Sequence, residues 1–288
     1  RELLGDYKGK LIAKIEKFDA VSNIDEIIET SDGIMVARGD LGIEVPYYDV
    51  PTIQKMLIKK SNAKGIPVIT ATQMLLSMTQ NERATRAEIS DVANAVLDGT
   101  DIVMLSEESA VGENPVNVVE TMHNIIKQTE KIFDHEKRYK FTYLDEFDVI
   151  QATVTKLADD LSADGILSLT SSGNSARKMS RYRPITPLYT FAHDKETLTG
   201  LTALWGVEPI TTVKEAQASK MIQRMLRSLE KREILNKKGL YICTVGYPVG
   251  IPGSTNTIKI LTPSEIEFYL NFKENREKIK TEKKVNLA

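Results

Sequence analysis

Residues 33–40 read Gly33-Ile34-Met35-Val36-Ala37-Arg38-Gly39-Asp40, an apolar run of strand length that ends on two charged residues around a glycine. Unbroken apolarity, in place of strict alternation, is the mark of a strand buried on both faces. Three more segments of the same kind flank it: Leu11 to Glu16, Pro67 to Gln73 and Asp101 to Ser106. Amphipathic stretches lie between them. The clearest, Thr85 to Leu97, opens with a capping box of Thr85 and Glu88, carries Ile89, Val92, Ala93, Val96 and Leu97 on one stripe, and is closed by Gly99. Parallel strands require long crossovers, so this alternation predicts an α/β fold whose sheet is covered on both faces by helices.

Farther along, a helical run from Val116 to Glu130 leads into residues 131–147, which are charged and aromatic without a sustained period and read as a linker. The chain then divides into a first domain over 1–130 and a second over 148–288. The second pattern is helix (Val149 to Leu161), strand (Gly165 to Leu169), helix (Ser175 to Tyr182), strand (Pro187 to Phe191), helix (Lys195 to Leu204), strand (Val207 to Thr212), a long helix (Lys214 to Leu235) and strands Leu240 to Val245 and Thr257 to Leu261. It predicts a small doubly wound sheet. A last helix is expected to start at Ser264, boxed by Glu267, and to run into the mixed charges of Lys273 to Lys284 as a solvated tail.

Composition narrows the function classes. The 288 residues carry 38 Lys and Arg against 40 Asp and Glu, a formal charge of -2 without a basic patch, so no nucleic-acid partner is expected. No apolar run approaches the roughly 18 residues of a membrane span, so no membrane partner is expected either. One cysteine, Cys243, precludes an internal disulfide and points to a reducing, cytoplasmic setting. The opening Arg1-Glu2-Leu3-Leu4 reads as a start inside a longer protein.

Polar chemistry collects where the four early strands end. Lys14 and Glu16 are two apart and share a side; Gly39 and Asp40 close the second strand; Thr70 and Thr72 are read as sharing a side of the third; Ser106 and Glu107 follow the fourth. The C-terminal ends of parallel strands are where α/β folds place their sites. One ammonium and two carboxylates suit an anionic oxygen substrate held by a hard cation, with Glu16 and Asp40 as ligands of Mg²⁺ or Mn²⁺ and Lys14 as a charge for the transferring group. Backbone N–H groups at Gly39 and Asp40, if they open a helix, form an anion cradle. The plain alternatives are a structural Lys14–Glu16 ion pair and an ordinary Arg38-Gly39-Asp40 turn. His123, His135 and His193 lack ligand spacing, and Met74 and Met78 read as core packing at the start of a helix.

The wording of these segments resembles the pyruvate kinase family: Lys14-Ile15-Glu16, Asp32 to Gly42, Thr70-Ala71-Thr72-Gln73-Met74-Leu75, Thr85-Arg86-Ala87-Glu88 and Met104-Leu105-Ser106 occur here in the family's order. The resemblance is strong over residues 1 to about 130 and looser beyond. It implies the second half of a (β/α)8 TIM-type barrel followed by a smaller doubly wound α/β domain for effectors and interfaces. It implies a kinase of glycolysis that transfers the phosphoryl group of phosphoenolpyruvate to ADP, giving pyruvate and ATP, with Lys14 and Thr72 catalytic, Lys14, Gly39, Asp40 and Thr72 against the substrate, and Glu16 and Asp40 on the metal. A role in proton delivery extends to water near Thr72 and to Ser106. The family also uses K⁺, whose site residues have no counterpart here, and is usually a homotetramer. The loop Thr170-Ser171-Ser172-Gly173-Asn174-Ser175 resembles an effector phosphate loop, although Ser171 and Asn174 stand where some relatives carry basic residues; Gly246 to Thr255 resembles a second one. The family usually has glycine where this chain has Glu107. Because four barrel strands and the residues that grip ADP phosphates are missing, the chain alone is expected to be inactive. Two alternatives are a non-catalytic module that binds phosphometabolites and a Mg²⁺-dependent aldolase or lyase of pyruvate-type substrates.

Overall fold

The computed structural model describes residues 2–5, 9–135, 141–215, 217–246 and 255–271. Contacts divide the chain into two units, Arg1–Asp134 and His135–Ala288. The first contains β1 (Ile12–Ile15), α1 (Phe18–Ser22), α2 (Ile24–Thr30), β2 (Gly33–Ala37), α3 (Arg38–Glu44), α4 (Val50–Lys64), β3 (Val68–Ala71), α5 (Arg86–Asp98), β4 (Ile102–Met104), α6 (Glu107–Ala110) and α7 (Pro115–Thr129). Its four strands are parallel and lie in chain order, β1-β2-β3-β4.

That order corrects one expectation. Right-handed crossovers that always step to the same side of a sheet stack every helix on the same face. Ile15, Ile34, Val36 and Val68 accordingly pack with Ile24, Ile28, Leu57 and Ile58 of α2 and α4. The opposite row, Lys14, Met35, Ile69 and Ile102 in register across the four strands, joins no hydrophobic cluster among the described residues; Lys14 is exposed and the other three are half-buried. The sheet is covered on one face, as in an arc of barrel wall, and β1 and β4 are its two edges.

Local signals hold closely at α5. Thr85 accepts from the Glu88 N–H at 3.2 Å, Glu88 accepts from the Thr85 N–H at 2.8 Å, and Gly99 ends the helix at φ 95°, a conformation that costs glycine little. Met74 and Met78 are fully buried against Val92, Val118 and Met122, but Met74 precedes and Met78 lies within a 3₁₀ turn, Leu76–Thr79, and no α-helix starts there.

The second unit holds α8 (Glu146–Asp160), β5 (Gly165–Thr170), α9 (Asn174–Ser180), β6 (Leu188–Ala192), α10 (Lys195–Gly200), β7 (Val207–Thr212), α11 (Ala218–Lys231), β8 (Tyr241–Gly246), β9 (Thr255–Leu261) and α12 (Pro263–Leu270). The sheet order is β7-β6-β5-β8-β9. Winding proceeds outward from β5 in one direction and resumes beside it with β8, so helices fall on both faces. Ile166, Leu188 and Ile242 pack with Val154, Ala158 and Met179 of α8 and α9, while Leu167, Phe191 and Cys243 pack with Met221, Met225 and Leu229 of α11.

Several assignments differ from the sequence reading. Residues 146 and 147 belong to α8 and not to a linker, because the Asp145 carboxylate accepts from the Asp148 N–H at 2.8 Å and caps the helix there. Helix α11 is shorter than Lys214 to Leu235 at both ends. Strand β9 runs antiparallel to β8, since the segment 247–254 between them is shorter than the dozen or so residues a parallel crossover needs. The last helix is boxed by Thr262 and Glu265, not by Ser264 and Glu267, because Pro263 takes the first helical position where a missing N–H costs nothing. The second effector-like loop and the charged tail fall at 247–254 and beyond 271, outside the described residues.

Gly165 sits where β5 passes two aromatic rings. A Cβ there would lie 2.5 Å from the Tyr189 ring and 3.2 Å from that of Tyr241, both buried. Gly165→Ala is expected to destabilise the second unit by about 1–3 kcal/mol through overpacking. Urea unfolding followed by fluorescence of Trp205, the chain's one tryptophan, reads this directly; an unchanged midpoint would mean the rings have room to shift.

Candidate active site at the strand ends of the first unit

Strand β1 carries Lys14 and releases Glu16 one residue past its end, while Asp40 stands in the first turn of α3, immediately after β2. The register Lys14↔Met35 sets these neighbours at one rim. Lys14 Nζ lies 2.5 Å from a Glu16 oxygen and 2.7 Å from Asp40 Oδ2. Lys14 and Asp40 are each 51% exposed. Exposed ion pairs contribute little to stability, so fold stability does not account for concentrating three charges here. Donation to Asp40 first, and to Glu16 second, holds the Lys14 ammonium well above the ordinary lysine range. Asp40 is held below the usual carboxylate range, chiefly because it accepts from Lys14.

Thr72 reaches the rim by a different route from the one its spacing suggests. β3 stops at Ala71, and Thr70 faces the helices, buried, with its hydroxyl 3.0 Å from that of Thr100. Thr72 and Gln73 both have positive φ, 72° and 53°. Two consecutive non-glycine residues in the left-handed region cost about 1–2 kcal/mol each, and a β-branched residue is rarer there than most. The twist turns Thr72 toward β2, where its Oγ1 accepts from the Gly39 N–H at 2.9 Å. With that lone pair engaged, the Thr72 hydroxyl proton is available to an acceptor in the cleft. Gly39 and Asp40 are the second and third residues of α3, which starts at Arg38, so this segment opens a helix and is not a plain turn; the Gly39 N–H is already taken by Thr72.

The structure thus brings Lys14, Glu16 and Asp40 into direct contact, and Gly39 and Thr72 into contact with each other one residue away. Ser106 follows β4 and donates its N–H to Glu108 at 2.7 Å; Glu107, the residue that departs from the resemblance, opens α6 and is exposed. Sequence reasoning placed two further residues at the strand ends without giving them a role. Glu108 is buried and also accepts from the Leu75 N–H at 3.2 Å, which fastens the loop after β3 to the end of β4. Arg38 is 10% exposed and donates to the Thr72 carbonyl at 2.6 Å and to Asp91 at 2.6 Å. Neither has a local sequence signal, because each acts on a partner more than 30 residues away.

In the second unit, Thr170 ends β5 and its hydroxyl accepts from the Gly173 N–H at 2.9 Å; Gly173, at φ 84°, precedes α9. The Ser175 hydroxyl is 3.0 Å from that of Thr255. His135 and His193 are tied through Nδ1 to the carbonyls of Arg183 and Val213, and His123 is exposed.

Two carboxylates converging on one cationic atom are a donor set for a hard cation, since Lys14 Nζ marks the place where positive charge is accepted. No group of three or more His, Cys, Asp or Glu side chains suited to a metal exists among the described residues, so an ion here would take its remaining ligands from water or substrate. No helix of the described residues is long and apolar enough to cross a membrane.

An arc of parallel barrel wall with a charged rim, followed by a doubly wound α/β domain, defines the class: a partial TIM-type barrel with an appended α/β domain. Residues 1–119 match the family model described as pyruvate kinase, barrel domain, and residues 148–261 match pyruvate kinase, alpha/beta domain. The chain belongs to the pyruvate kinase family. It is 44% identical over 257 residues to a pyruvate kinase of Lactobacillus delbrueckii subsp. bulgaricus, covering 87% of this chain and 44% of that protein. Against those of Clostridium acetobutylicum and Geobacillus stearothermophilus it is 42% identical, covering 90% and 92% of this chain and 56% and 46% of theirs. The chain spans about half the length of these curated relatives.

Replacing the ammonium tests the charge balance at the rim. Lys14→Met should raise the Asp40 pKa toward the ordinary carboxylate range, because its principal hydrogen-bond donor and neighbouring positive charge are lost. Carboxyl ¹³C titration is the measurement; an Asp40 pKa that stays depressed would show that Lys14 is not its cause.

Proposed function

We propose that this chain supplies the metal- and enolate-binding half of a pyruvate kinase active site, in which the phosphoryl group of phosphoenolpyruvate passes to ADP to give pyruvate and ATP. The observation that carries the reading is the convergence of Glu16 and Asp40 on the Lys14 ammonium, beside the Thr72 hydroxyl at the same family's rim. Phosphoryl transfer asks a protein mainly for positioning and charge neutralisation, and this rim supplies both. Glu16 and Asp40 are the residues that hold Mg²⁺ or Mn²⁺, which when bound would balance charge on the substrate oxygens. Lys14 then turns from the carboxylates to the bridging oxygen and stabilises the enolate as the phosphoryl group departs. Gly39, Asp40 and Thr72 form the seat of the substrate carboxylate: the Thr72 hydroxyl donates to it, and the Gly39 N–H holds that hydroxyl in place. The same hydroxyl lies near the water that delivers a proton to the enolate carbon. K⁺ and the phosphates of ADP belong to residues this chain does not carry, and turnover belongs to a homo-oligomeric, tetrameric protein with a complete barrel.

Thr170 to Ser175 serve, in this reading, as the seat of a phosphorylated effector. The loop follows β5, where the strand order of the second unit reverses, and such switch points open a crevice at the strand ends.

Mn²⁺ titration of the 288-residue chain, read by electron paramagnetic resonance, tests the metal assignment. Glu16→Gln or Asp40→Asn should weaken binding by more than the roughly 10- to 100-fold that changes in a ligand's outer surroundings cost. In the protein with a complete barrel, Glu16→Ala or Asp40→Ala should abolish metal-dependent ATP synthesis from phosphoenolpyruvate and ADP. Retained metal binding and turnover in these variants would remove the two carboxylates from the site.

A further inference from the structure

Arg38 was read from sequence as part of a turn, yet its guanidinium sits at the junction of the two loops that form the substrate side of the rim. Nη2 donates to the Thr72 carbonyl at 2.6 Å and to the Gln73 carbonyl at 3.3 Å, and Nε donates to the Thr72 carbonyl at 3.3 Å. Nη1 donates to Asp91 of α5 at 2.6 Å and to the buried Gln54 of α4 at 3.4 Å. Both carbonyls that it grips belong to the residues with positive φ. Strained backbone persists only where its surroundings over-determine it, and here one planar fork, fixed at its far end by a carboxylate, spans both peptides. The next residue is Gly39, whose N–H is bound by the Thr72 hydroxyl. Arg38 therefore acts on the loop after β3 through its side chain and on the loop after β2 through its own backbone.

We propose that Arg38 is the positioning residue of the site: anchored by Asp91, it locks Thr72 and Gln73 in the left-handed conformation and thereby fixes the Thr72 hydroxyl against Gly39, aimed at the substrate carboxylate. The role rests on the functional reading above, because it matters only if Thr72 and Gly39 meet a substrate. Lysine keeps the charge beside Asp91 but cannot bridge Asp91 and two carbonyls in one plane. Glycine adopts positive φ without penalty, so Gln73→Gly removes much of the strain that Arg38 holds.

The experiment uses the full chain, labelled with ¹⁵N, in four forms: wild type, Arg38→Lys, Gln73→Gly and the double variant. Exchange of the Gly39 amide should accelerate about tenfold or more in Arg38→Lys while amides of α5 such as Val92 keep their rates, and the double variant should recover most of the loss. With Mn²⁺ and pyruvate as probes, pyruvate affinity measured by ligand-observed NMR should fall about tenfold in Arg38→Lys and return to within about threefold of wild type in the double variant. Unchanged Gly39 exchange in Arg38→Lys overturns the proposal. So does acceleration shared equally with Val92 and indifferent to Gln73→Gly, which is the signature of general destabilisation. A wild-type chain that binds neither Mn²⁺ nor pyruvate is a distinct failure, since it overturns the substrate-site reading whatever Gly39 does, and the role of Arg38 with it.

Discussion

The handedness of strand crossovers governs this molecule. A right-handed connection from one parallel strand to the next fixes the face on which its helix lies, and the direction of the step decides whether successive helices share that face. In the first unit all steps go one way, and β1 to β4 become a wall with helices behind it. In the second the order turns at β5, and the same rule covers both faces. Parallel strands also end together, so whatever follows them is collected at one rim. Lys14, Glu16, Gly39, Asp40 and Thr72 are separated by up to 58 positions in sequence, yet they need no long-range device beyond this topology to meet.

Topology delivers residues to a rim, but it does not orient them. Lys14 is aimed by strand alternation alone, which is why it emerges on the same face as Met35, Ile69 and Ile102. Thr72 needs more, because alternation from Thr70 would direct it to the helices, where Thr70 is buried against Thr100. Two residues with positive φ break the alternation. The cost is local, and the offsetting interactions come from Arg38, Asp91 and Gly39, each on a different element. Strain at this point of an otherwise regular sheet is thus a property of the site.

What sequence made legible follows the same division. Strand positions and the capping box of α5 depend on near neighbours and on general rules, and they were readable in Thr85, Glu88 and Gly99 and in the apolar runs. The triad of Lys14, Glu16 and Asp40 was readable because strand ends converge in any parallel sheet. The single covered face was not, since it depends on strand order, which periodicity does not encode. Nor was Thr72's twist: a threonine after Ile-Thr-Ala looks like more strand, and only Arg38, 34 positions upstream, explains why it is not. Glu108 was hidden for the same reason, its partner Leu75 being 33 positions away.

The two units present different chemistry at their strand ends. The first gathers one ammonium and two carboxylates, a formally net negative set in which accepting from Lys14 lowers the Asp40 pKa. Such a set attracts a cation, and an anionic substrate can then enter only as that cation's ligand. At the end of β5 the second offers Thr170, Ser171, Ser172 and Ser175 with no charged side chain in the loop. Hydroxyls and N–H groups can cradle a phosphate without a metal, but without a basic residue they do so weakly and with little long-range attraction. The first rim thus concentrates charge, whereas the second carries uncharged hydrogen-bonding groups.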